Sequence, residues 1–500
     1  MQRIPRPFAL LIALMLALPA WASTDEDSRW YVVRLNGDKV GWMEERTATN
    51  DNAELVSTTV MHMTIARGVQ PIEIEVRSEF IETPQGEPLR MRSYQSFGLS
   101  PLETRYVFTD EGVKVTTLQN GRRTTKMQDT PEGDWLTPGE VTRFVRTRMR
   151  AGAQTIAFSS IDAGAGLTPV REEWTVIGDT TVEVFGKTVP AQEWRITESM
   201  AGTTSSAFVD KQGNALKTTV FFGGLTIEML AADEALAKAP FDAPEMMNAS
   251  LVRIDESIPG ARDTRRASFL LRHTGDEPVD LFAEGVFLDA GVQRTERVDD
   301  RSVRIVVDLD DNRPAPVTDA LRADALGAGA YIDPTDPELV ALAERAAAES
   351  PGFDGATALE KAKLLERFVD GYVRHKNLGV GFATSSEVCR TREGDCSEHA
   401  MLLAALLRAH GIPARVATGL VYADGFMGER RIFGYHMWTQ ALIETDAGWV
   451  WHDVDAAIGT MDATHIAIDA STFADDDPVQ GMLDVVTVFG ALEIEVESVE

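Results

Sequence analysis

The stretch Arg392-Glu393-Gly394-Asp395-Cys396-Ser397-Glu398-His399-Ala400 decides the reading of this chain. Gly394 and Asp395 make a turn, and Asp395 is a suitable helix N-cap. Cys396 then falls in the first turn of a helix predicted from about Cys396 to His410, with Met401, Leu402, Ala405 and Leu406 on its buried face. Gly411-Ile412-Pro413 stops it, glycine at the cap and proline just after. A helix N-terminus carries free amide donors and a partial positive charge. A thiol placed there has its pKa pushed down, so the thiolate nucleophile is favoured. The same amides can stabilise an oxyanion. Polar neighbours on both sides set Cys396 apart from an apolar core cysteine.

A thiolate nucleophile needs a base. His436 opens the alternating run Met437-Trp438-Thr439-Gln440-Ala441, read as a strand. Asp453 lies on the next strand, and Thr445-Asp446-Ala447-Gly448 joins the two. Adjacent strands would bring imidazole and carboxylate together, the acid orienting the ring and stabilising its charged form. Asp455, two residues on and on the same strand face, is the rival acid.

These blocks resemble the bacterial transglutaminase-like superfamily. The resemblance rests on Gly394-Asp395-Cys396 at the helix start, on Leu403-Ala404-Ala405-Leu406, and on Gly411-Ile412-Pro413-Ala414-Arg415 behind it. Tyr435-His436-Met437-Trp438 and Gly448-Trp449-Val450-Trp451-His452-Asp453 follow in order. It spans Tyr331 to Ser471, under a third of the chain. It implies a papain-like α+β core with Cys396 as nucleophile, His436 as base and then acid, and Asp453 as orienter, the last preferred to Asp455 because the pattern counts from Trp449. Members of this superfamily transfer acyl groups, cleave peptides, or have lost catalysis, so the reaction stays open.

Cys389 departs from the pattern, which has an aliphatic residue there. A reversible Cys389–Cys396 disulfide would silence the nucleophile; a small apolar filler is the plainer role. His399, three residues after Cys396, shares its helix face and is read as packing against or tuning the site. Cys396, His399, His410 and His452 have no zinc-motif spacing, so no metal is expected. Asp308-x-Asp310-x-Asn312 hints at a calcium loop, but Arg313 stands where glycine is required. No cofactor motif is read. Trp438 and Trp451 are expected as wall or core residues, Arg415 as a structural residue near an acid, and Tyr372 is the one guess for a second oxyanion donor.

The whole chain bounds the rest. Its 500 residues allow two or three domains, and 44% hydrophobic with 25% charged residues is ordinary for a globular protein. Arg3 and Arg6, the apolar run Phe8 to Leu18, and Ala20-Trp21-Ala22 predict a secretory signal cleaved after Ala22, hence a periplasmic or secreted protein with no membrane span left. Removing that segment deletes two arginines, leaving 78 acids against 46 bases, a net charge of −32. Such acidity excludes nucleic acid as a partner. Two cysteines, both in one short stretch, point to chemistry more than to a disulfide framework.

The expected order is a signal at 1–22, an antiparallel β-rich domain at 23–238, a second β-rich segment at 244–316, the catalytic domain at 331–475, and a C-terminal strand extension at 476–500. Alternating runs such as Trp30 to Leu35, Ile72 to Val76 and Thr181 to Phe185 predict the first sheet, a sandwich or open half-barrel, with Pro138 to Arg150 helical and its polar residues facing solvent. Asp475-Asp476-Asp477 reads as a solvated surface run. The function expected is a thiol-dependent acyl transferase or hydrolase on a peptide or protein amide. The rival is a silent transglutaminase-fold binding module of the cell envelope. A weaker third idea makes the N-terminal sheet a holder of an apolar ligand.

Overall fold

A computed structural model describes residues 27–67, 70–97, 101–119, 122–164, 166–199, 204–222, 225–245, 251–274, 287–376, 383–473 and 492–500. The predicted signal segment and the Asp475–Asp477 run lie outside these residues. No helix among them is long and apolar enough to cross a membrane. The chain divides into two compact units, one of residues up to Pro244 without 67–70, and one of 67–70 with the residues from Glu245 onward.

The first unit is built on one antiparallel sheet of fourteen strands. Its first strand, Asp27–Leu35, lies in the middle, paired on one side with Asp38–Thr49 and on the other with the last strand, Leu225–Ala232. The chain meanders outward to Arg122–Gln128 at one edge, then passes through the helix Pro138–Arg150 to the opposite edge, Thr155–Ser160. It then meanders back to the centre. Proline at the helix start and a Thr137/Glu140 capping box explain why this one segment is helical. Tyr31, Val33, Met43, Val76 and Met229 form one core cluster, and Val145, Ile156, Trp174 and Trp194 another. The expectation that polar residues here face solvent is corrected: Glu45, Glu82 and Glu172 are buried. Burial pushes the Glu45 and Glu172 carboxyls up to about 8. Trp174 Nε1 donates to Glu172 Oε2 at 2.8 Å, which satisfies that acid inside the core.

The second unit is α+β. Its central sheet contains Val252–Arg253, Glu429–Thr445, Ala414–Phe426 and Ile466–Ser471, with Gly448–Val454 paired to Glu429–Thr445. One face of it shares a core with a four-stranded sheet of Gln293–Arg297, Ser302–Asp308, Arg266–His273 and Leu492–Val499; Phe269 and Val303 meet Leu420, Phe433 and Ile466 there. The segment 244–316 thus contributes to the same core as the strands that follow. The other core joins the helices Pro337–Glu349, Ala358–Tyr372, Ser385–Thr391 and Cys396–Ala409 to strand residues Val416, Met437 and Ala441.

The Cys396–Ala409 helix is buried from Ser397 to Arg408, not along one face only. Helices and sheet enclose it, so its apolar residues run all round. Together they hold the first turn of that helix against the sheet.

Candidate active site

The helix start is built by reciprocal capping. Asp395 Oδ1 accepts from Ser397 N at 3.1 Å, and Glu398 Oε2 accepts from Asp395 N at 2.8 Å. Gly394 has φ +148°, and a Cβ there would lie 2.2 Å from Glu398 Cβ, so only glycine lets the chain turn into the helix. Glu398 is fully buried, its Oε1 accepting from Ala383 N at 2.9 Å. Burial, with the Asp395 charge beside it, pushes the Glu398 carboxyl well up. Cys396, the first helical residue, is half-buried.

Neither cysteine is in a disulfide. Cys389 is buried on the Ser385–Thr391 helix, packed into the apolar core, and burial pushes its thiol up. The filler role holds for it. Tyr372, the guess for an oxyanion donor, is corrected: its hydroxyl donates to the Cys389 carbonyl at 2.6 Å and is already committed.

His436 sits on the Glu429–Thr445 strand opposite Gly419. A Cβ at Gly419 would lie 2.0 Å from the Ile466 carbonyl oxygen, so glycine is needed where three strands crowd. Three residues past His436, Thr439 Oγ1 donates to the Ala400 carbonyl at 3.0 Å. That bond ties the strand to the helix one turn past Cys396. His436 is 7% exposed, and Trp438 stacks beside it at 6.1 Å between ring centroids, 20° from parallel.

The acid is where the structure parts from the sequence expectation. His436 Nε2 lies 2.7 Å from Asp455 Oδ2, not from Asp453. Asp453 pairs across the strands with Gln440, four residues beyond His436 and so about 13 Å along the strand. Its Oδ1 accepts from Trp438 Nε1 and Gln440 Nε2, both at 2.7 Å. Gln440 Oε1 accepts from the buried Arg415 Nε at 2.7 Å, and the Arg415 guanidinium lies 4.1 Å from the Trp451 ring centroid. Burial pushes the Arg415 guanidinium down to about 10, the Asp453 and Asp469 charges opposing it. Asp453 belongs to that supporting network. The rival Asp455 meets the imidazole because it lies one step further along the same face. A sequence signal existed: the Trp-x-x-x-Asp step counted from Trp449 to Asp453 recurs from Trp451 to Asp455.

Asp455 follows the Gly448–Val454 strand and is fully buried. Its backbone N–H donates to Glu366 Oε1 at 2.7 Å, anchoring it to the Ala358–Tyr372 helix. Burial works against its charge, but the His436 and His465 imidazoles outweigh burial and hold the carboxyl far below its usual range. His465 and Glu366 carried no motif in the sequence; only the fold brings them here.

The remaining candidates are placed as follows. His399 Nδ1 donates to the Asp395 carbonyl at 2.5 Å, and burial pushes its pKa down, which keeps the ring neutral beneath the first helical turn. His410 is at the far end of the helix, its Nε2 donating to the Ala343 carbonyl at 3.1 Å. Cys396, His399, His410 and His452 therefore do not converge. His436, Asp455 and His465 do bring three ligand-type atoms within 4.8 Å of one another. Both imidazoles present their nitrogens to one carboxylate oxygen at hydrogen-bond distance, so these atoms already satisfy one another. At the calcium-like stretch, Asp310 is paired with Arg265, Asp308 lies 3.7 Å from Arg266, and Asn312 Nδ2 donates to the Trp451 carbonyl. Trp438 and Trp451 are both 1% exposed and belong to the core.

Residues 347–455 match the family described as the transglutaminase-like superfamily. Among solved structures, a β-barrel-like protein of unknown function from Brucella abortus aligns at 12% identity over 42% of this chain and 97% of its own, with a TM-score of 0.32. A candidate cysteine protease from Cytophaga hutchinsonii aligns at 15% identity over 47% of this chain and 85% of its own, with a TM-score of 0.27. A candidate protease from Parabacteroides distasonis aligns at 13% identity over 71% of this chain and 64% of its own, with a TM-score of 0.16. No curated protein matches the chain. The matched segment begins in the Pro337–Glu349 helix and ends on Asp455, so the likeness to the transglutaminase-like superfamily falls within this α+β unit.

Proposed function

We propose that the second unit is a thiol enzyme that transfers or hydrolyses acyl groups of peptide or protein amides. Cys396 is its nucleophile, His436 its base and then acid, and Asp455 the acid that orients His436. The observation that carries this reading is the buried 2.7 Å contact between His436 Nε2 and Asp455 Oδ2, on a sheet tied to the first turn of the Cys396 helix. With Nε2 committed to Asp455, Nδ1 is the nitrogen left to exchange a proton with the thiol.

The steps follow from those roles. The Cys396 thiolate attacks the amide carbonyl, forming a C–S bond and a tetrahedral oxyanion beside the helix N-terminus. The C–N bond then breaks, and the departing amine takes the proton that His436 carries. Water or a second amine next attacks the thioester and gives its proton to His436. The C–S bond breaks, and that proton neutralises the leaving thiolate. Water makes the protein a protease or amidase; an amine makes it a cross-linking transferase. Hydrolysis is the preferred reading, since no amine-acceptor site is recognised.

The test is the pH dependence of Cys396 alkylation by iodoacetamide in the folded protein, with Cys389→Ala as background. Fast reaction below pH 7 that is lost in His436→Ala supports the thiolate–imidazole pair. Titration near the ordinary thiol value of about 8.5 would instead favour a silent binding module.

A further inference from the structure

Asp455 accepts four hydrogen bonds. Oδ1 takes Ala457 N at 2.8 Å and Ile458 N at 3.3 Å; Oδ2 takes His436 Nε2 at 2.7 Å and His465 Nε2 at 3.1 Å. Two partners are backbone N–H donors, and the carboxyl is held far below its usual range, so Asp455 is a carboxylate and both imidazole nitrogens facing it donate. His465 is 2% exposed, and nothing in the reaction above uses it. Its other nitrogen, Nδ1, lies 3.1 Å from the Asp462 backbone carbonyl and 3.5 Å from Asp462 Oδ1. Both groups are acceptors. A neutral ring would set a bare lone pair against one acceptor or the other, so both nitrogens carry protons and His465 is a buried cation.

The surroundings support that charge. Asp462 is held by Arg262 Nη1 at 2.5 Å and by Thr464 N at 2.8 Å. Trp438 packs its ring against His465 edge to face, 5.3 Å between centroids. The ionisable groups around it are Asp455, Asp462 and His436 in contact, then Arg262 behind Asp462, with Glu366 and His399 on the helix side of Asp455. Burial opposes the charge on His465, but Asp455 and Asp462 outweigh it and push the ring up to about 9.

We propose that His465 is a positioning residue for the Cys396 site, a buried imidazolium at neutral pH that shares Asp455 Oδ2 with His436. It fixes the carboxylate from a second direction and cancels much of its negative charge. With His465 on the same oxygen, Asp455 stays in the position from which it orients His436. The inference rests on the reading of Cys396 and His436 as a reacting pair.

The experiment is the alkylation pH profile of Cys396 in the Cys389→Ala background, compared with His465→Gln and His465→Lys. The profile is expected to shift by about one pH unit or more in His465→Gln, which removes the charge beside Asp455. It should stay near its original place in His465→Lys, which restores the charge. An unmoved profile in His465→Gln, or equal movement in both variants, overturns the proposal. Should the variants fail to fold, the ring ¹⁵N spectrum of Cys396→Ala decides, because no thiolate can then hold a proton on His436. One of the eight histidines must stay doubly protonated at pH 8; if none does, the proposal fails. Should unsubstituted Cys396 show no thiolate below pH 7, the nucleophile reading is what fails, and the ring spectrum still decides the charge on His465.

Discussion

Replacing Asp455 by asparagine separates the two candidate acids. The carboxylate offers two acceptor oxygens, and the structure uses both: one for the Ala457 and Ile458 amides, the other for the two imidazoles. An amide has one acceptor oxygen, so one pair of donors must face an NH₂ group. If the imidazoles face it, His436 turns its lone pair toward the new amide and its proton toward the thiol, the wrong tautomer for a base. If the turn amides face it, the Asp455–Ile458 turn opens. A contact counter-charge is in general worth about one to three pH units, so its removal should lower Cys396 alkylation at pH 6 about ten- to a thousand-fold. Stability should fall by about 3 kcal/mol, the usual cost of breaking a buried ion pair. Asp453→Asn leaves His436 untouched and keeps one oxygen for Trp438 and Gln440. It should alkylate within about three-fold of the parent while losing about 1–3 kcal/mol, because the Arg415 charge loses its compensation. The assay is the alkylation rate beside a urea melt of each variant. If Asp453→Asn silences the thiol and Asp455→Asn does not, the assignment of the acid is refuted.

Stability should depend on pH in a defined direction. His465 binds its proton more tightly folded, at about 9 against 6.5, so its contribution is complete below 6.5 and is lost as pH climbs through about 9. Asp455 is held below its ordinary value, so its contribution is complete above about 4 and fades as pH falls. The buried Glu45, Glu172 and Glu398 carboxyls, raised on folding, make stability decline as pH climbs above about 4.5, so the His465 share is read as a difference: the gap between denaturant melts of parent and His465→Gln should be steady below about pH 6.5 and close by up to about 3 kcal/mol as pH climbs through about 9. Gly394→Ala forces a Cβ to within 2.2 Å of Glu398 Cβ at a left-handed φ; it should cost about 2 kcal/mol or more and slow alkylation, read by melts and rates together. Tyr372→Phe removes one hydrogen bond to the Cys389 carbonyl, so a loss of about 1 kcal/mol with an unchanged alkylation rate is expected. A large loss of rate would return Tyr372 to the site.

Much of the site is legible in the linear chain because it depends on local chemistry. Gly394-Asp395-Cys396 encodes a turn, a cap and a first helical residue within three positions, and the helix forms there. Gly411 and Pro413 encode its end, and the alternation around His436 encodes a strand. Asp453 and Asp455 look equivalent by the same logic, since a period of two puts both on one face. Only the pairing of Gln440 with Asp453 decides between them, and strand register comes from packing of the whole sheet. The burial of polar groups in the first unit escaped for a related reason. Alternation tells which residues share a face, but not whether another layer covers it. His465, ten residues beyond Asp455, and Glu366, on a helix eighty-nine residues before it, reach that carboxylate and its amide through contacts no motif records. The sequence by itself determined where the thiol sits and that a histidine and an acid follow on paired strands. The tertiary structure decided which acid meets the histidine and what holds that acid charged, because those depend on distances between elements that no local spacing sets.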